Sequence, residues 1–68
     1  MDGIPRSRSD TERRARASVQ AFATSWYANE TIKALAAEHL GAATTSLRAA
    51  RAHLDVALRV LSEADFGA

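Results

Sequence analysis

The sequence predicts an all-α protein, a helical hairpin or compact three-helix unit that assembles into a larger helical bundle, most simply a dimer. Three observations carry this expectation. Alanine supplies 16 of the 68 residues, and no run alternates apolar and polar side chains as a half-buried strand would. Leu40, Leu47, Leu54 and Leu61 recur at a spacing of seven, and Ala43, Ala50, Ala57 and Ala64 repeat the same spacing behind them. One proline and three glycines leave few places to turn the chain.

Residues 1–8 read as a flexible basic arm and residues 9–66 as a single helical domain. Ser9 and Glu12 have the spacing of a capping box, in which each side chain satisfies the other's backbone N–H, and Asp10 and Glu12 suit the positive end of the helix dipole. The first helix is expected from about Asp10 to about Ala28. Ala15, Val19, Phe22, Ala23 and Trp26 share one face of it and form its expected core stripe. Past Tyr27 the apolar residues move to another face, that of Ile32, Leu35, Ala36 and Leu40. Either the helix breaks at Asn29, a good N-cap residue, or it continues and touches two neighbours; continuity with a kink is the preferred reading. Gly41, followed by Thr44, Thr45 and Ser46, marks the main turn, within 41–46. The last helix then runs from about Thr45 to about Ala64, with Gly67 as its stop signal.

The Leu/Ala heptad carries the most information. Leucine in one row supplies burial, and alanine in the other lets a partner backbone approach closely. This combination suits an antiparallel hairpin better than a parallel zipper. Ala42, Ala49, Val56 and Val60 form a second apolar surface. The polar strip between holds the i,i+4 pairs Arg51–Asp55, Asp55–Arg59 and Arg59–Glu63, each contributing a few tenths of a kcal/mol. So much apolar helix surface on so short a chain is more than the chain can cover alone. The expected partner is itself, as a homodimer or higher oligomer, or a protein target. The expected interface residues are Trp26, Tyr27, Leu40, Leu47, Leu54, Leu61, Val56 and Val60. Of the adjacent aromatics, Trp26 continues the Val19/Phe22 stripe and reads as core, whereas Tyr27 lies off it as a candidate anchor.

Composition removes several function classes. Cysteine is absent, so neither a disulfide scaffold nor a thiolate metal site is available. His39 and His53 are 14 residues apart, about 21 Å along a continuous helix, too far for one metal ion. No G-x-S-x-G element and no glycine-rich phosphate loop occurs. The expectation is therefore no enzyme, no metal, no cofactor and no catalytic residue. No apolar run approaches a membrane span, and the first residues lack the apolar core of a signal peptide, which points to a cytoplasmic protein. Abundant alanine and arginine with little lysine suggest a GC-rich coding source, bacterial or phage.

The net charge is only +1, but Arg6, Arg8, Arg13, Arg14 and Arg16 crowd the first 16 residues. They could grip phosphates, or simply keep one end of the chain solvated. Residues 37–50, AEHLGAATTSLRAA, resemble a helix-turn-helix DNA-binding segment. Ala37, Gly41 and Leu47 occupy that family's small, glycine and branched-apolar positions, and Leu40 and Ala50 fall at neighbouring core positions. The resemblance implies a recognition face of Thr44, Thr45, Arg48 and Ala52, with Arg48 as base reader.

The leading expectation is thus a small non-enzymatic interaction protein, an adaptor or regulator acting by self-association or on a protein target. A small DNA-binding regulator is the alternative, and a small stabilising subunit of a larger complex is the second.

Overall fold

A computed structural model describes the backbone of residues 3–67 and the side chains of residues 10–63. Two helices, α1 (Gly3–Ala36) and α2 (Leu40–Gly67), pack against each other as a helical hairpin. Its principal extents are 56 × 16 × 10 Å, a flat rod with no third layer. The expected all-α hairpin is thus the fold, with α1 continuous as preferred, and its boundaries differ from expectation at the start of α1 and at the turn.

Helix α1 begins at Gly3, so Ser9 and Glu12 are helical residues and not the helix entrance. Pro5 falls in the first turn, where its missing N–H has no helical acceptor to lose. The arm expected over residues 1–8 lies outside the described side chains. Helix α1 also runs unbroken through Asn29. The shift of apolar residues beyond Tyr27 moves around a continuous helix.

The main turn comes before Gly41, at residues 37–39. Glu38 takes the left-handed conformation (φ 62°). Its N–H donates to the Leu35 carbonyl (3.0 Å), and the His39 N–H donates to the Ala34 carbonyl (2.8 Å). These two bonds make a Schellman motif, which satisfies the last carbonyls of α1 and reverses the chain. The His39 carbonyl then accepts from the Ala43 N–H (2.9 Å), which makes His39 the N-cap of α2. Gly41 is an ordinary helical residue, with nothing within 4 Å of where its Cβ would be.

The seam between the helices is built from small and polar side chains. On α2 it consists of Ala43, Ala50, Ala57 and Val60, all buried, with Ser46 and His53 half-buried between them. On α1 the matching heptad is Ala17, Gln20, Thr24, Tyr27, Thr31 and Ala34. Alanine lets the two backbones approach closely. The threonines can be buried because their hydroxyls donate to carbonyls of the preceding turn: Thr31 Oγ1 to Tyr27 O (2.9 Å) and Thr24 Oγ1 to Gln20 O (2.8 Å). No buried side-chain polar atom among the described residues lacks a partner.

Candidate interaction surface

A seam of alanine, threonine and glutamine leaves the large apolar side chains outside. All six leucines are exposed, as are Val19, Phe22, Trp26 and Ile32. Alanine and leucine heptads therefore have separate roles. Ala43 and Ala50 are each 5% exposed, whereas Leu47 is 57% and Leu54 46% exposed. The leucines flank the seam and do not form it.

Their position follows from helical geometry. In an antiparallel pair, the residues one place beyond the seam on each helix line the same side of the hairpin. On α2 this row is Leu40, Leu47, Leu54 and Leu61; on α1 it is Arg14, Ala21, Ala28 and Leu35. A groove of about 600 Å³ bears this out, with Thr24 and Ala28 on one wall and Leu47, Ala50 and Leu54 on the other. Toward the turn it continues past Thr31 and Leu35 to Leu40. Toward the open end Leu61 borders Asp10, Arg13 and Arg14. The result is a tall leucine ridge beside a low alanine row along one face of the rod. Arg48 and Arg51 flank the groove, and its central stretch is lined by no carboxylate and no imidazole.

The other expected interface residues are dispersed. Trp26 is half exposed on the outer side of α1, so the Val19–Phe22–Trp26 stripe read as core faces solvent. Tyr27, read as lying off the core, enters the seam. The roles of the two aromatics are exchanged because the seam of α1 follows Gln20, Thr24, Tyr27 and Thr31, and Trp26 sits one residue, about 100° around the helix, off that row. Tyr27 stacks on His53 (centroids 5.5 Å apart, 10° between planes), and Trp26 meets the Tyr27 edge at 5.0 Å and 89°. His53 Nδ1 lies 2.6 Å from Gln20 Oε1, with the ring N–H donating across the seam. Sequence reasoning passed over Gln20, Thr24 and Thr31. Their heptad spacing was the available signal, obscured because none is apolar. Val60 is buried in the seam and Val56 half-buried at its far edge, so neither belongs to the leucine face.

Among the arginines, Arg13 is half-buried and pairs loosely with Asp10 (3.8 Å), while Arg14, Arg16 and Arg48 are exposed. The side chains of Arg6 and Arg8 lie outside the described residues. Of the three ion pairs expected on α2, Arg51–Asp55 forms, at 4.0 Å on the surface, where it contributes little. The helix-turn-helix geometry expected over residues 37–50 is not formed. Gly41 lies inside α2, and α1 and α2 run alongside each other, whereas the helices of that motif cross steeply. Thr44, Thr45, Arg48 and Ala52 are exposed on one uninterrupted helix.

No group of three or more metal-ligating side chains occurs among the described residues. No described helix is long and apolar enough to cross a membrane. No family model, no curated protein and no solved structure matches this chain.

Proposed function

We infer that this chain is a small non-enzymatic interaction protein, an adaptor or regulator that works by presenting its leucine face to a macromolecular partner. One observation carries the reading: every leucine is exposed while the buried residues are four alanines, Val60 and Thr31. Fully burying a leucine side chain is worth roughly 1.5–3 kcal/mol. Four leucines aligned along one face, each 46–69% exposed, therefore hold roughly half of that gain unrealised, for a partner surface to collect. A contiguous apolar face of this kind marks an interaction site on a soluble protein.

The DNA-binding reading has less behind it. It rests on exposed arginines, without the crossed helices that would bring Arg48 to a base edge.

The test is a photo-crosslinking amino acid placed at Leu54 in the cells from which the sequence comes. A discrete adduct, with a second copy or with one defined protein, is expected. Its loss when the same group is moved to Ser62, on the solvated strip, would show that the face is the determinant. Absence of any discrete adduct from Leu54 would overturn the reading.

A further inference from the structure

Resting on that reading, we propose that the occupant of the leucine face is a second copy of this chain, and that two hairpins close into a four-helix bundle with both turns at the same end.

The first argument is area. A compact folded monomer of 7.3 kDa exposes roughly 4,200 Å², from the scaling of accessible surface with mass. The hairpin exposes 5313 Å². The excess, about 1,100 Å², exceeds the roughly 800 Å² per partner that a standard stable interface buries. Dimerisation would thus bring the surface of each chain to that of an ordinary globular protein.

The second argument is shape, and it selects a copy over an unrelated partner. Ridge and trough lie side by side on the same face with the same repeat. Leu47 stands beside Ala28 across one groove, and the heptad register puts Ala21 one repeat further along the same row, level with Leu54. A twofold axis running along the rod, within the interface, lays α2 of each copy over α1 of the other. The middle of each leucine ridge then drops onto the alanine pair of the second copy at the same height, Leu47 over Ala28 and Leu54 over Ala21, while Leu40 meets Leu35 and Leu61 meets Arg14 at the two ends. All neighbouring helices run antiparallel, which is four-helix-bundle geometry. The other in-plane axis, perpendicular to the rod, would set ridge against ridge and trough against trough, leaving the alanine rows unfilled. The isologous arrangement uses one patch twice, as twofold dimers do.

The experiment combines solution mass with one distance. Light scattering at micromolar concentration should give twice 7.3 kDa for the native chain. The double variant Leu47→Glu/Leu54→Glu should fall to the single-chain mass with its helical circular dichroism retained, because both side chains are exposed in the hairpin. Phe22→Ser, on the outer side of α1, should remain double. The chain has no cysteine, so a nitroxide on Ala37→Cys reports one site per copy. Turns at the same end place the two labels within about two helix diameters, ~20–25 Å. Turns at opposite ends place them near the 56 Å length of the rod and overturn the arrangement. This distance decides even if the glutamate variant unfolds. A native mass of one chain, or a double mass that survives Leu47→Glu/Leu54→Glu in folded form, would also overturn the proposal. The interaction reading would still stand if the Leu54 crosslinker captured a different protein, so the two can fail separately.

Discussion

The His53 imidazole donates to the Gln20 side-chain carbonyl at 2.6 Å, the side-chain hydrogen bond that joins the two helices among the described residues. It lies midway along a seam made mostly of alanines and threonines, in which the Thr24 and Thr31 hydroxyls turn back on their own helix. The ring is held from its face by Tyr27, so geometry and polarity are fixed together.

Removing either partner leaves the other half-buried and unpaired. His53→Ala and Gln20→Ala should each cost about 1–2 kcal/mol, since an unmet hydrogen-bonding group costs more than a made bond gains. The double variant should cost less than the sum, with a coupling of about 0.5–1.5 kcal/mol. Urea denaturation followed by circular dichroism measures all three. Strict additivity would show that the pair is not coupled.

Glycine is absent where the backbone asks for it and present where it does not. Glu38 occupies the left-handed position that closes the Schellman motif, at a cost of about 1 kcal/mol for a side chain with a Cβ. Glu38→Gly should therefore raise stability by about 1 kcal/mol, a rise of roughly 4–8 °C in melting temperature for a chain of this size. A lower melting temperature would contradict the turn geometry.

Gly41 sits in the first turn of α2 with free space where a Cβ would go. Gly41→Ala should stabilise by about 0.5–1 kcal/mol through helix propensity and a less flexible unfolded chain. A loss of stability would mean that position 41 is a true turn, as the sequence first suggests.

The alanine seam should be intolerant of size. Ala50→Leu, at a residue 5% exposed, should destabilise by about 1–3 kcal/mol by forcing the helices apart. Thermal melts report this directly, and an unchanged melting temperature would place the seam elsewhere.

Arg48 projects from one uninterrupted helix and is not expected to read bases. Any affinity for duplex DNA should be sequence-independent and fall steeply between about 50 and 200 mM salt. Arg48→Ala should change it by no more than about twofold, consistent with a phosphate contact. Fluorescence anisotropy with two unrelated duplexes measures both. A sequence preference erased by Arg48→Ala would restore the DNA-binding reading.

The helical class and the two heptads are legible in the sequence, and the heptads also fix where the turn must fall. Rows that begin at Leu40 and Ala43 require the chain to be helical from residue 40 onward, so the turn had to precede Gly41. Periodicity, not the glycine, governs the position of the turn. The core of α1 was hidden for a different reason. A search for large apolar side chains finds Val19, Phe22 and Trp26, whereas a close-packed alanine row selects partners by size, and threonine and glutamine qualify. The leucine ridge was visible as a pattern, but its position beside the seam depended on which row the opposite helix would accept.

An alanine repeat packs almost equally well one period up or down, because every notch along it has the same depth. Such a joint is close to a smooth rail, and the hairpin could slide by a heptad at small cost in contacts. Two features oppose that travel: a tether of three residues at one end, and the His53–Gln20–Tyr27 cluster near the middle. Loosening either should yield a mixture of shifted forms, each of which would misalign the leucine ridge with whatever it meets.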